Sequence, residues 1–188
     1  AIYPSIVVGK PPAEDAWLGK ATERIFLPAI RMSVPEIVDY DLPVAGAFHN
    51  CVIVSIRKAF PGHAQKVMHA LWGLGMLSLS KSIVVVDDHV DVHDYADVFF
   101  RVTANVDPKR DVLISEGPLD HLDHAPGRQF YGGKLGIDAT HKLGAERLLF
   151  IWVAHGLPNS TAAIAAEPRP AARPPGRYFE SLLASSPQ

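Results

Sequence analysis

The chain has 188 residues, of which 48% are hydrophobic and 20% are charged. This length suits one well-buried domain, and the composition is that of an ordinary globular protein rather than a disordered or fibrous one. The formal net charge of -2 provides no long-range attraction to nucleic acid or to an anionic membrane. The single cysteine, Cys51, excludes a disulfide framework and a cysteine-based zinc cluster, and it fits a cytoplasmic protein.

The start of the chain indicates a piece of a longer protein. Residue 1 is alanine, and the stretch AIYPSIVV forms an apolar strand pattern at once, over Ile2–Val8. It lacks the basic region and cleavage pattern of a signal peptide. The longest apolar run, LLFIWVA at 148–154, is shorter than the ~20 residues of a membrane helix. We therefore expect a fragment with neither a signal peptide nor a membrane span.

Four further strand patterns follow, each a short β-branched run bounded by turn residues. They lie near Ile37–Tyr40 and at Cys51–Ile56, Ser82–Val86 and Val112–Ser115. The run SIVVVDD is continuously apolar rather than alternating, as in a strand that is covered on both faces. Strands that alternate with helices predict an α/β layered domain with a mixed or mostly parallel sheet flanked by helices.

Three helical patterns separate these strands. The first, residues 14–30, has an apolar face, and Pro28 is expected to kink or end it. The second spans residues 61–75, and the third spans residues 93–107 with Asp94 as its N-cap. The predicted apolar face of the first helix consists of Trp17, Ala21, Ile25 and Ala29.

The character of the chain changes near Pro158. The stretch LPNSTAAIAAEPRPAARPPGR is rich in proline, alanine and arginine, and it cannot bury enough apolar surface to offset its ordering entropy. We therefore predict a domain over residues 1–157 and a disordered or extended tail over 158–188. Within the tail, Tyr178–Leu183 is expected to form one amphipathic turn that packs on a partner surface.

The acidic stretch VVVDDHVDVHD at 84–94 is the first candidate for chemistry. A metal site needs three or four of its side chains to converge on one ion. However, Val90 and Val92 alternate with Asp91 and His93, which favours an extended connection with one packed face. Asp94 has its own explanation as a helix cap. We therefore predict no metal here, although the stretch offers Asp87, Asp88, His89, Asp91, His93 and Asp94.

Two other stretches carry weaker signals. The second cluster consists of His121, Asp123 and His124. Its two histidines have the His-x-x-His spacing of metal ligands, but no third ligand is evident nearby in sequence, so polar groups of a solvent-facing loop are the preferred interpretation. The stretch YGGKLGIDATHK at 131–142 could bring glycine backbone and Lys134 to a phosphate, but no complete phosphate-binding motif is present. A tight turn before a short strand or helix is preferred there. The residues alone therefore identify no catalytic site.

Several stretches, taken in order, resemble the carboxy-terminal third of the UbiD family. The members of this family are decarboxylases that depend on a prenylated flavin. They include the 4-hydroxy-3-polyprenylbenzoate decarboxylase of ubiquinone synthesis and its relatives in the menaquinone pathway. The resemblance covers about residues 1–142. It is carried by VVGKPPAEDAWLGKATERIFLP, PEIVDYDLP, GAFHNCVIVSIRKAFPGHAQKVMHALWG, KSIVVVDDHVDVHDYADV, NVDPKRD and GGKLGIDATHK.

The resemblance implies that the catalytic residues lie upstream of Ala1, in a domain that holds prenylated FMN and a divalent metal. Neither is expected on this chain alone. The chain is expected to pack on the flavin-binding domain of the same enzyme, to form a homo-oligomer, and to supply a wall of the substrate pocket. Met76 replaces a glutamine of the relatives, which puts a polar contact there in doubt. By position, three segments would face the pocket. They are the loop Pro11–Leu18 with Leu18, the entry to the next strand with Ser78 and Ser80, and the loop with Pro118 and Leu119.

Three functions remain open at this point. The leading one is the pocket-wall and assembly domain of a non-oxidative decarboxylase of an aromatic or polyprenylated benzoate-like acid, inactive by itself. The second is a stand-alone oligomerisation or partner-binding module derived from that domain. The third is a metal-dependent hydrolase that uses the aspartate and histidine clusters.

Overall fold

The computed structural model describes residues 13–47, 50–120, 123 and 125–147. The predicted strand Ile2–Val8 and the tail 158–188 lie outside the described residues. Short 3-10 helices at Val44–Gly46, Gly75–Leu79 and Gly144–Arg147 connect the larger elements. In chain order, these elements are α1 (Ala13–Ser33), β1 (Ile37–Asp41), β2 (Cys51–Ile56), α2 (His63–Trp72), β3 (Ser82–Asp87), α3 (Tyr95–Asn105), α4 (Pro108–Asp111), β4 (Val112–Pro118) and β5 (Tyr131–Asp138).

The five described strands form one mixed sheet in the order β1-β2-β3-β5-β4. The three central strands, β2, β3 and β5, are parallel, and the edge strands β1 and β4 are antiparallel to their neighbours. This confirms the predicted α/β class. The parallel strands give the sheet an amino end and a carboxyl end, which carry different groups of side chains.

Side chains of successive strand residues alternate between two helical layers. Val52, Val54 and Ile56 of β2 belong to the core beneath α1 and α2, whereas Ile53 belongs to the core beneath α3. Because β2 and β3 are buried on both faces, they read as nearly continuous apolar runs, as expected for central parallel strands.

Helix α1 differs from its prediction in two respects. It continues through Pro28 to Ser33, so of the two expectations for Pro28 the end of the helix is wrong, and the kink stays a prediction. Its predicted apolar face is also turned away from the core: Trp17 and Ile25 are exposed, while Glu23 and Ile30 are buried. The inward face is partly charged because it pairs with β1, and a stripe of large apolar side chains is left outside. This stripe, the α1 outer stripe, consists of Trp17, Leu18, Ile25, Phe26 and Met32.

Two other predictions have clear outcomes. Asp94 is the N-cap of α3, since its carboxylate accepts hydrogen bonds from the N–H groups of Ala96 and Asp97. The glycine-rich stretch after residue 130 is strand β5 from its first residue, so the expected tight turn there is wrong. No described helix is both long enough and apolar enough to cross a membrane.

Candidate functional site

Four of the five residues implied as pocket wall lie at the amino end of the parallel strands. Ser78 belongs to the 3-10 helix Gly75–Leu79, and Ser80 follows it just before β3. Pro118 ends β4 opposite Tyr131, the first residue of β5, and Leu119 comes next. The fold thus brings the two predicted wall segments to one edge, although 38 residues separate Ser80 from Pro118 in sequence.

Lys134 of β5 connects these two segments. Its ammonium Nζ donates hydrogen bonds to the backbone carbonyls of Ser78, at 2.7 Å, and Ser80, at 2.8 Å. The residue is only 3% exposed, and its Nζ lies 5.8 Å from the centre of the Trp72 ring. Burial lowers the pKa of Lys134 to about 8, because desolvation disfavours the charged form. Among the described residues, no carboxylate pairs with this ammonium.

Two glycines allow this close packing. A Cβ on Gly117 would lie 2.7 Å from Cε of Lys134, and a Cβ on Gly132 would lie 2.8 Å from Cδ1 of Leu119. Leu119 is therefore buried within the chain, at 2% exposure, whereas Pro118 is exposed. Leu119 therefore presents little surface to a ligand or a partner, because Gly132 makes room for its side chain.

An open groove of about 410 Å³ lies beside the end of β4. Such a volume is within the range of small-molecule sites. Its polar groups include the Glu116 carboxylate, the Arg128 guanidinium and the Tyr131 hydroxyl, which donates to Glu116 at 3.3 Å. Pro126, Gly127, Gly132 and Gly133 complete the lining.

Leu18 is not part of this group. It lies on α1, which packs on β1 at the opposite edge of the sheet from β4. It is 66% exposed, and from Ala13 onward the predicted loop Pro11–Leu18 is helical. Met76 is also exposed, on the same 3-10 helix as Ser78.

A second charged group lies between α1, β1 and the segment before α3. Lys20 donates to Asp41, and the ring of His93 is hydrogen-bonded to Asp41 through Nδ1 at 2.9 Å. Burial alone would lower the pKa of His93, but the carboxylates of Asp39 and Asp41 outweigh it and raise the pKa to about 9. His93 is therefore a cation at neutral pH, and it ties the chain before α3 to β1.

This group contains a conceivable metal site. Glu23, Asp41 and His93 each offer one ligand atom, and these atoms lie within 4.8 Å of one another. However, the ammonium of Lys20 already pairs with both carboxylates, so the charge that a metal would neutralise is largely balanced. The prediction that the chain binds no metal stays a prediction.

The acidic stretch at 84–94 is divided among structural contacts. The Asp87 carboxylate accepts a hydrogen bond from the backbone N–H of His141 and is also hydrogen-bonded to the ring Nδ1 of His141. His93 is hydrogen-bonded to Asp41 of β1 instead. Val90 and Val92 are buried beneath α3, as their alternation with polar residues predicted. Of the second cluster, only Asp123 is described, and it pairs with Lys81 at 2.5 Å.

The carboxyl end of the strands carries a third charged group. The Lys58 side chain is fully buried, and its ammonium lies 3.3 Å from Asp138 and 2.8 Å from Glu146. Glu146 also accepts a hydrogen bond, at 3.0 Å, from the N–H of Gly62 just before α2. The positive groups at this end are thus matched by carboxylates of the same chain.

The start of α2 does not fit the phosphate of a flavin. A phosphate is held by free cations and by free N–H groups at a helix N-terminus. Before α2, the Gly62 N–H and the Lys58 ammonium are already bound to Glu146. The prediction that this chain alone holds no flavin is not tested by this observation and stays a prediction.

Sequence reasoning missed the role of Lys134, which it treated only as a possible phosphate contact. A signal was present: Gly132, Lys134 and Gly136 are two residues apart and therefore share one face of the strand. The lysine thus lies on the core-facing side, between two residues without side chains. Its carbonyl partners at Ser78 and Ser80 are distant in sequence and could not be read from the pattern.

Comparison with known proteins shows close relatives. An uncharacterized protein of Archaeoglobus fulgidus is 63% identical over 142 residues, which are 75% of this chain and 30% of that protein. An uncharacterized protein of Aquifex aeolicus is 54% identical over 151 residues, which are 80% of this chain and 31% of that protein. The chain thus spans about a third of the length of these relatives.

Solved structures show the same fold. The UbiD-class enzyme HmfF from Pelotomaculum thermopropionicum, solved in complex with FMN, is 27% identical with a TM-score of 0.61, over 78% of this chain and 35% of that one. The open form of vanillic acid decarboxylase from Sedimentibacter hydroxybenzoicus is 25% identical with a TM-score of 0.61, over 87% of this chain and 32% of that one.

A family model extends the resemblance to a definite assignment. The model of the 3-octaprenyl-4-hydroxybenzoate carboxy-lyase C-terminal domain matches residues 16–139. The match takes in both wall segments, Lys134 and the charged group on β1. Because it covers well over half of the sequence, the chain belongs to the UbiD C-terminal domain family.

Proposed function

We propose that this chain is the pocket-wall and assembly domain of a UbiD-type enzyme, which removes the carboxyl group of an aromatic or polyprenylated benzoate-like acid. The observation that carries the proposal is that Lys134 binds the carbonyls of Ser78 and Ser80 and packs on Gly117, which directly precedes Pro118, at one end of the sheet. An open groove lined by other residues, among them Glu116, Arg128 and Tyr131, lies near the end of β4. Membership of the carboxy-lyase family supports this use of that end.

The chemistry of the wall suits an aromatic acid. Pro118 offers apolar surface to a ring, and Ser78, whose hydroxyl donates to the Gly75 carbonyl, offers a small polar neighbour, whereas Ser80 is buried. The buried ammonium of Lys134 adds a positive charge that no described carboxylate neutralises, which favours an anionic ligand. The vanillic acid decarboxylase among the solved relatives is named for a substrate of this class.

We infer that the chemical step needs the rest of the protein. Decarboxylation of an aromatic acid requires an electron sink, which prenylated FMN supplies when it is bound. The chain spans about a third of the length of its relatives, and the start of α2 does not fit a flavin phosphate. We therefore assign the flavin, its divalent metal and the catalytic residues to an upstream flavin-binding domain. We also infer a cytoplasmic enzyme, because its one cysteine, Cys51, leaves the chain without a disulfide framework.

The test compares this chain with a protein that joins it to its upstream flavin domain. The joined protein, supplied with prenylated FMN, should release carbon dioxide from benzoate-like acids, and the 188-residue chain should not. Substitution of Pro118, the exposed residue of the wall, should change which acid the joined protein accepts. Flavin-dependent turnover by the chain alone would contradict the proposal.

A second candidate function is that of a stand-alone oligomerisation module. The α1 outer stripe favours it, since Met32 is 87% exposed and large apolar side chains in a row usually meet a partner. Sedimentation of the chain alone distinguishes the candidates. A stable homo-oligomer that Ile25→Lys dissociates, together with no acid turnover by the joined protein, would favour the module. A monomer at high concentration would exclude it.

A further inference from the structure

Lys134 has an environment that needs an explanation beyond folding. Removing an ammonium from water is costly, and buried lysines are usually paired with a carboxylate. Lys134 has two carbonyl acceptors and the face of Trp72 instead. Carbonyls compensate less of the desolvation cost than a carboxylate would, which is why the pKa of Lys134 falls to about 8.

The contacts of Lys134 reach both wall segments. Its ammonium holds the carbonyls of Ser78 and Ser80, and its Cε occupies the space left by the missing side chain of Gly117. Gly117 directly precedes Pro118 and Leu119. The side chain therefore lies between the two segments as a brace, with one end fixed by hydrogen bonds and its stem in contact with β4.

We propose that Lys134 is a positioning residue that fixes the separation of the Ser78–Ser80 and Gly117–Leu119 segments and thereby sets which acids the pocket accepts. The second half of this proposal rests on the proposed function. Lys134 acts through the two segments and is not assigned a contact with the substrate. Without its donors, the two carbonyls must find other partners, and the 3-10 helix has to move to do so.

The first test measures the brace in the chain alone. Lys134→Met keeps the stem but removes the donors, and Lys58→Met removes an equally buried ammonium at the other end of the sheet. Hydrogen exchange of the Leu77 and Ser80 amides should quicken by about tenfold or more in Lys134→Met relative to amides of β2, since two hydrogen bonds are lost. In Lys58→Met, the exchange rates of the Leu77 and Ser80 amides relative to those of the β2 amides should be unchanged. Equal behaviour in the two variants would overturn the proposal.

A second variant covers the case in which Lys134→Met does not fold. Gly117→Ala keeps the ammonium but places a Cβ 2.7 Å from Cε of Lys134. Because the ammonium is held by two carbonyls, the stem cannot yield without disturbing them. The same two amides should exchange faster, by a smaller factor than in Lys134→Met. Unchanged exchange there would also count against the brace.

The final test uses the protein joined to its flavin domain and supplied with prenylated FMN. For two benzoate-like acids that differ in the size of one ring substituent, Lys134→Met should change the ratio of KM values by about tenfold while kcat for the better acid changes by less than about threefold. Lys58→Met should leave the KM ratio unchanged. An unchanged ratio in Lys134→Met would overturn the role in selectivity. Absence of turnover in the unsubstituted joined protein would count against the proposed function and so against that role, while the exchange measurement still decides whether Lys134 is the brace.

Discussion

Two buried lysines at opposite ends of the same sheet have opposite surroundings. At the carboxyl end, Lys58 lies between Asp138 and Glu146, so its charge is balanced within the chain. At the amino end, the partners of Lys134 among the described residues are the carbonyls of Ser78 and Ser80 and the ring of Trp72. The difference shows that burial of a lysine does not by itself define its role. The first lysine closes a structural ion-pair group, and the second leaves positive charge at the end of the sheet that we assign to the pocket.

The largest expected effect concerns Lys58. Lys58→Met would leave two carboxylates at the carboxyl end without their shared cation, and breaking a buried pair costs about 3–5 kcal/mol. We expect a loss of that order in the free energy of unfolding, measured by urea titration near pH 7. A loss below about 1 kcal/mol would mean that this end is not held together by Lys58 and would break the comparison.

The second effect is a pH dependence due to Lys134. Its pKa is about 8 in the folded chain and 10.5 in the reference state, so the unfolded chain binds more protons between these values. The free energy of unfolding should therefore gain up to about 3 kcal/mol from this residue as the pH rises from 8 to 10.5. Lys134→Met should lose this gain. If the unfolding free energy had the same pH dependence in the wild-type chain and in Lys134→Met, Lys134 would not be buried without a carboxylate among the described residues.

His93 should act in the opposite direction. Its pKa is raised from 6.5 to about 9, so its stabilising contribution is complete below pH 6.5 and is lost as the pH rises through 9. The side chain is only 16% exposed, and the contribution should reach about 2 kcal/mol. The groups that face it include Asp39, Asp41 and Lys20. In His93→Gln, the unfolding free energy should no longer fall between pH 6.5 and 8, a range below the one in which Lys134 contributes. A pH profile equal to that of the unsubstituted chain would show that the imidazole is not held as a cation.

The smallest effect concerns the cap of α3. Asp94→Ala should cost about 1 kcal/mol in the free energy of unfolding, because two N–H groups at the start of α3 lose their acceptor. The matched control is Asp88→Ala, which changes an exposed carboxylate of the same acidic stretch. Equal losses in the two variants would show that the cap contributes nothing of its own.

The sequence predicted the features that depend on local pattern. The continuous apolar runs of β2 and β3 required burial on both faces, and Asp94 preceded an amphipathic run as N-caps do. Val90 and Val92 were correctly expected on a packed face. Each of these depends on residues that are neighbours in the chain, which is why single-sequence reasoning reached them.

The features that it missed depend on distant partners. The apolar face of α1 was expected to turn inward, but Glu23 turns inward instead because its carboxylate accepts the Leu42 N–H, and Lys20 pairs with Asp41 of β1. In the same way, Lys134 is explained only by Ser78 and Ser80. A polar residue on a core-facing register is the one local sign that such a partner exists.

The most direct test of the account is to find which end of the sheet meets the flavin domain. Hydrogen exchange should be compared between the chain alone and the protein that joins it to its upstream flavin domain. We predict that the amides of residues 75–80, Gly117 and Leu119, at the amino end, become protected in the joined protein, while those of residues 138–146 exchange at the same rate in both. Protection of residues 138–146 with no change at the amino end would contradict the assignment of the pocket wall to the Lys134 end.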